Sequence, residues 1–394
     1  MAGQRSLDVL VNRLPLPPAS VAVPEYFSPS MLGSAAGCQL KFISASTENR
    51  EKFEELPRDP AAVLGTSFHK AMETCVTDGT EAAIEAFELA ILTPIPGSDP
   101  PFTLSDAIEK KTIRKLYRRL AATQALGSQG LAKSTPTGLR GPPESLRFGA
   151  ELRLESATLR LRGSADLIAE EPDGTVTITD YKTGGVTDRE GKIWESYRLQ
   201  LFAYALMYIE RFGPAEIELR LDNGRVHPIH CTERDLQEAR RTITEIGLRL
   251  PPHDTVNITE LAEPGTDCRN CSIRSNCVVY LSVAPTWWPD VPPDVGPLAL
   301  DTWGVVEQVM LMNDKYMLSM EDDAGRKVRV EQTAKHPGFG ADLIGQRLWF
   351  FGLASDVWGQ SLQGKRPHPR FFHELSRGPG DSRAWSAAVY RRSD

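Results

Sequence analysis

The sequence predicts an α/β core built on a short sheet, followed by a smaller β-barrel domain. Three observations predict it. Strand-like alternation over residues 161–168 and 176–182 gives way to helical spacing over 193–212, so sheet and helix alternate within one unit. A stretch holding Pro285, Pro289, Pro292, Pro293 and Pro297 then divides the chain as a stiff linker. Beyond it, residues 303–309, 315–320, 326–330 and 346–352 read as short strands, two of them joined by the turn at 321–325.

The chain has 394 residues and 41% hydrophobic content, enough for two or three globular units. No apolar run approaches a membrane span and residues 1–14 lack a signal-peptide core, so a soluble, cytoplasmic protein without a membrane partner is expected. A net charge of −7 confines any nucleic-acid contact to a local patch.

Residues 1–29 hold Pro15, Pro17, Pro18, Pro24 and Pro29 and read as an extended arm. Ser30 can cap a short helix that ends at Gly37, just before Cys38. Residues 61–76 have helical spacing, with Gly65 and His69 one turn apart and Cys75 as a small core residue. The helix expected over 104–126 crowds Lys110, Lys111, Arg114, Lys115, Arg118 and Arg119 into three turns, either to meet phosphates or to face water. Residues 127–143 read as a loop. Glu151 opens the next strand and could add an acidic contact, although alternation with Arg153 and Glu155 favours a solvated face.

The turn Glu171-Pro172-Asp173-Gly174 joins the two central strands into a hairpin that can bring Asp166 near Asp180. Val176, Ile178, Asp180 and Lys182 project from one face and Thr177, Thr179 and Tyr181 from the other. An apolar face thus ends in a carboxylate and an ammonium. Unpaired charges there are costly, and Mg²⁺ or Mn²⁺ on hard oxygen ligands would offset the cost, hold a phosphate and lower the pKa of water. Taken alone, Asp-x-Lys is more simply a surface ion pair. Gln200 and Tyr204, four residues apart, share a face of the next helix. A hairpin around Asn223-Gly224 carries His227, His230 and Cys231, and a helix follows over 233–250.

Cys268, Cys271 and Cys277 fall within ten residues, a spacing that in a reduced protein reads as metal ligation rather than disulfides. Three thiolates leave a soft-metal site one ligand short. In the last domain, a compact OB-type barrel could offer Trp303, Tyr316, Trp349, Phe350 and Phe351 as stacking faces, or bury them as its core. The residues after Gly378 read as a mobile polar tail.

Gly65-x-x-x-His69, Gly163-x-x-Asp166-x-Ile168, Asp180-Tyr181-Lys182-Thr183-Gly184 and Gln200-x-x-x-Tyr204, in that order, resemble the RecB-like branch of the PD-(D/E)XK nucleases. A lone early cysteine before a late cluster of three is similar to its iron–sulfur members, among them AddB-like, CRISPR-adaptation and phage exonucleases. The family's early cysteine usually precedes proline, where Gln39 stands here. The resemblance covers about residues 28–279 and implies a restriction-endonuclease-like core, bounded here at 30–282. Composition and strand-like runs beyond it give a linker at 283–297, an OB-like domain at 298–378 and a tail at 379–394. It implies that His69, Asp166, Asp180 and the Tyr181 carbonyl hold Mg²⁺ or Mn²⁺, that Lys182 serves the attacking water, and that Gln200 and Tyr204 position the lysine or the strand. It implies that Cys38, Cys268, Cys271 and Cys277 hold a 4Fe-4S cluster, with structural Zn²⁺ as the alternative. The expected activity is hydrolysis of DNA, preferably from single-stranded ends; the competing reading is a non-catalytic binding subunit of a helicase or CRISPR adaptation complex. The chain has no P-loop and is not its own motor. A chain ending near Val283 is expected to keep cleaving while binding single strands more weakly.

Overall fold

A computed structural model describes residues 12–35, 37–46, 48–53, 55–56, 60–95, 103–126, 147–188, 190–251, 255–265, 267–268, 271–287, 299–312, 315–333, 340–355, 370–373 and 388–391. The loop expected at 127–143 lies outside them, as does most of the proline-rich linker.

Strands β1 (Asn12–Arg13) and β2 (Ser20–Ala22) open the chain. The core sheet consists of β3 (Gly149–Ser156), β4 (Leu161–Glu170), β5 (Val176–Tyr181), β6 (Ile217–Asp222) and β7 (Val226–Ile229), bonded in that order. The first three form an antiparallel meander. β6 lies parallel to β5, and the Glu195–Phe212 helix makes the crossover that a parallel neighbour requires. β5 is therefore central and covered on both faces, so Thr177 and Thr179 are buried along with Ile178 and Asp180.

The crossover helix is buried continuously from Leu199 to Tyr208, between the sheet and the Glu233–Arg249 helix. Gly213, at φ 92°, ends it in a conformation that favours glycine. A second cluster, holding Leu64, Phe68, Phe87, Leu104, Leu116 and Leu120, joins the helices Pro60–Thr77, Thr80–Leu92 and Lys110–Leu126. The single helix expected over 104–126 is interrupted: Leu104–Ala107 ends at an extended Ile108, and a new helix starts at Lys110.

The N-terminal arm is tied down at residues 20–22. β2 pairs with β8 (Thr255–Asn257), and the buried Asn49 side chain bonds both the N–H and the carbonyl of Ala22. In the last domain, β9 (Ala299–Met312), β10 (Lys315–Glu321), β11 (Lys327–Thr333), β12 (Arg347–Ser355) and β13 (Arg370–His373) close a ring. The order is β9-β10-β11-β13-β12 and back to β9, with only β11 and β13 parallel. β14 (Ala388–Arg391) adds to β12, and β1 adds to β14. The polar tail thus contains a strand, which composition alone concealed.

Trp303, Trp349, Phe350 and Phe351 are buried, which removes them as stacking faces for a nucleic acid; Tyr316 is half-buried. Trp303, Trp349 and Phe351 pack into the same apolar cluster as the core sheet. Beside them, the buried Asp301 carboxylate accepts two bonds from Arg274, at 2.6 and 3.0 Å, one from Tyr280 Oη at 2.6 Å and one from the Gly352 N–H at 2.8 Å. The Val278–Trp287 helix continues through Pro285, whose carbonyl accepts from Arg326. The two domains therefore share a core and a buried ion pair. Among the described residues, no helix is long and apolar enough to cross a membrane.

Candidate active site

The hairpin of β4 and β5 sets the geometry. Its last paired residues at this end are Leu167 and Thr179, which puts Asp166 and Asp180 one step further on, side by side. Asp166 Oδ2 accepts the Tyr181 N–H at 2.6 Å and lies 3.3 Å from His69 Nδ1, brought in on the Pro60–Thr77 helix. Lys182 Nζ lies 2.8 Å from Asp180 Oδ2 and donates to Gln200 Oε1 at 3.3 Å. Gln200 Nε2 in turn donates to Asp180 Oδ1 at 2.8 Å. One amide thus holds the carboxylate and the ammonium in fixed relation. Tyr204 hydrogen-bonds Gln200 and reaches β4 at Gly163. A Cβ at Gly163 would lie 2.8 Å from the Pro29 ring, so the motif glycine permits that close approach. The residues expected at the site are brought together.

Electrostatics here are those of crowded acids. Burial raises the Asp180 carboxyl to about 6, against the pull of Lys182, and Asp166 adds to the rise. Burial also pulls the His69 imidazole down, but its bond to Asp166 and the charges of Asp166 and Asp180 outweigh it, and the net shift is upward. Asp180 Oδ2 is buried without an aligned hydrogen bond, the ammonium beside it being an ion-pair partner only. As they stand, no three His, Cys, Asp or Glu side chains among the described residues converge tightly enough to hold an ion. The carboxylates are instead engaged by the Tyr181 N–H, His69, Gln200 and Lys182. The under-bonded Asp180 oxygen beside a second acid and an imidazole is nevertheless a donor set that suits a hard divalent cation.

Two residues named in the sequence reading take roles other than the ones it favoured. Glu151 is half-buried rather than on a solvated face. Its backbone is left-handed, at φ 49°, which breaks the alternation and turns it toward a small cavity lined also by His69, Glu73, Asp166 and Tyr181. Burial, with Asp166 and Glu73 nearby, pushes its carboxyl up to about 7. The stability contributed by the neutral form is full below the ordinary value of 4.5 and is lost as pH rises through about 7. With chelator present, Glu151→Gln is therefore expected to melt higher than wild type at pH 8, the gain shrinking as pH falls toward 5. Thermal unfolding from pH 5 to 9 measures this, and a constant difference would refute it.

Arg119 is the second. From the basic helix it donates to the Lys182 carbonyl at 2.8 Å and the Asp222 carbonyl at 2.9 Å, pinning the ends of β5 and β6. Lys115 similarly bonds the Asn223 carbonyl at 3.1 Å. Lys110, Lys111, Arg114 and Arg118 remain exposed.

The four cysteines meet elsewhere. Cys38, Cys268, Cys271 and Cys277 are buried, free of disulfides, and line one cavity with Leu40, Lys41, Ile273, Arg274 and Tyr280. Cys268 Sγ accepts the Gly265 N–H and Cys277 Sγ the Tyr280 N–H, each at 3.4 Å. Burial raises all three late thiols, Cys271 to about 12, so bare thiols here would stay protonated. Four sulfurs around one space, with backbone N–H groups aimed at two of them, form a donor set that suits a soft metal or cluster. Cys75 and Cys231 are half-buried elsewhere.

No curated protein gives a match to the chain. A profile of the PD-(D/E)XK nuclease superfamily matches residues 26–278, a span that contains both acidic strands, the lysine, the Gln200 helix and the four cavity cysteines. The match covers well over half of the chain, and the chain belongs to the PD-(D/E)XK nuclease superfamily.

Proposed function

We propose that the protein is a Mg²⁺- or Mn²⁺-dependent deoxyribonuclease that hydrolyses phosphodiester bonds at single-stranded DNA ends. The observation that carries this reading is the Gln200-bridged pair of Asp180 and Lys182, set beside Asp166 and His69 at one end of the sheet. A buried charge cluster of this kind is costly to a module that only binds. His69, Asp166, Asp180 and the Tyr181 carbonyl are the groups that would hold the cation. When bound, it would activate water and offset phosphate charge. Lys182 supplies a fixed positive charge for the charge that develops at the phosphate, while the sugar hydroxyl leaves. Gln200 fixes the lysine's direction, and Tyr204 fixes Gln200 against β4.

Cys38, Cys268, Cys271 and Cys277 hold a 4Fe-4S cluster, a reading supported by their common cavity and by the Lys41 and Arg274 charges beside it. Its role is structural, because hydrolysis transfers no electrons. An OB-like reading of the last domain is supported by its five-stranded ring with one parallel pair. Helicases and recombination or CRISPR proteins are the partner class that would deliver single-stranded ends.

The test compares end-labelled linear and circular single strands, incubated with Mg²⁺, Mn²⁺ or chelator. Cleavage of the linear strand alone, abolished by chelator, is the expected result; cleavage undiminished by chelator would refute it. Iron and acid-labile sulfide near four per chain are expected in the purified protein, and stoichiometric zinc without iron would refute the cluster while sparing the four-cysteine site.

A further inference from the structure

Trp194 is the most exposed aromatic ring among the described side chains, at 43%. Its position is built rather than incidental. The segment after Lys182 folds back on itself through a Thr187–Ile193 bridge and a bond from the Asp188 N–H to the Lys192 carbonyl. The Trp194 N–H is then anchored to the Val186 carbonyl at 3.1 Å, at the start of the buried Glu195–Phe212 helix. This mount sets the indole beside Tyr197, ring centres 5.5 Å apart and tilted by 37°. The Lys182 ammonium lies 4.8 Å from the centre of the same tyrosine ring. One ring therefore separates the exposed indole from the lysine of the proposed active site.

The ground alongside is open. Gly184 and Gly185 are exposed, and a Cβ at either would meet no atom within 4 Å. The charges of residues 188–198 balance, Asp188, Glu190 and Glu195 against Arg189, Lys192 and Arg198, so the segment offers no net cationic field to a phosphate. The π-face of a base needs none, since it stacks on an aromatic ring irrespective of sequence.

We propose that Trp194, backed by Tyr197, is a stacking platform for an unpaired nucleobase of single-stranded DNA flanking the phosphate that Lys182 serves. This rests on the nuclease reading of the site. A base inside a duplex has both faces covered and cannot use the platform, so the contact confers a preference for single strands.

The experiment measures binding of oligo(dT), of an abasic strand of equal length and of a blunt duplex in chelator, to wild type, Trp194→Ala and Trp194→Phe. Cleavage of the linear strand in Mn²⁺ is measured in parallel. Trp194→Ala is expected to weaken oligo(dT) binding about ten-fold, within the range for one stacked base, and to raise KM more than it lowers kcat. Trp194→Phe should recover most of the affinity. The abasic strand and the duplex should bind wild type and Trp194→Ala alike. Quenching of wild-type indole fluorescence by oligo(dT) should fall in Trp194→Phe. Equal oligo(dT) affinity in wild type and Trp194→Ala, or an equal loss on the abasic strand, overturns the proposal even if the wild type cleaves. Trp194-dependent binding by a protein that cleaves nothing would support the platform while removing the nuclease reading.

Discussion

Lys182→Met is expected to keep the fold and to bind Mn²⁺ while cutting the cleavage rate by about 10²–10³, the loss typical of removing one aligned charge from a transition state. Methionine roughly preserves the stem and removes only the ammonium. The partners left behind define the side effects. Asp180 Oδ2 loses its nearest positive charge, 2.8 Å away, and Gln200 Oε1 loses its donor. With that charge gone, the Asp180 carboxyl, already raised to about 6 by burial, must rise further. Mn²⁺ then competes with a proton, so calorimetry should show binding weakened at pH 6 and largely restored at pH 8. Asp180→Asn, in contrast, removes a donor of the cation and should lose Mn²⁺ binding at both pH values. If Lys182→Met binds no Mn²⁺ at pH 8, the lysine is a structural counter-ion rather than a catalytic one.

Truncation near Val283 is expected to give an insoluble or loosely packed chain, in contrast to the expectation drawn from the proline-rich linker. Arg274 and the Asp301 carboxylate that holds it are both buried, and the cut removes one of the two. Stranding one member of a buried pair costs about 3–5 kcal/mol, a large part of the stability of an ordinary domain. Loss of Trp303, Trp349 and Phe351 opens the apolar cluster at the same place. In the full-length chain, Asp301→Ala should lower stability by a similar amount in denaturant titrations. The double change Arg274→Met, Asp301→Leu should recover part of it, because no charge is then left alone. The recovery is partial, since Tyr280 Oη and the Gly352 N–H also lose their acceptor. A soluble, cooperatively unfolding chain ending at Val283 would contradict this reading of the interface.

What the sequence made legible was local. Alternation and the Glu171–Gly174 turn placed Asp166 beside Asp180, and four-residue spacing put Gln200 and Tyr204 on one helix face. The meeting of Cys38 with the late cysteines is long-range and came from resemblance rather than periodicity. What remained hidden depended on contacts that no window of sequence contains. Glu151 turns inward because a single left-handed residue breaks the strand's alternation. Arg119 looks like five neighbouring cations, and its partners lie 63 and 103 residues away. β14 and β1 exist because each finds a distant strand to pair with, not because either segment is strand-like by composition. Asp301 is one acid among many until Arg274 and Tyr280 converge on it.

On the proposed reading, Asp180, Gln200 and Lys182 form a unit that hydrolyses DNA with the help of a divalent cation. Single-turnover cleavage of an end-labelled single strand at pH 8 and saturating Mn²⁺, wild type beside Lys182→Met, tests it most directly. A wild-type rate that vanishes in chelator and exceeds the variant's by about 10²–10³ is predicted; equal rates in the two proteins would contradict the account.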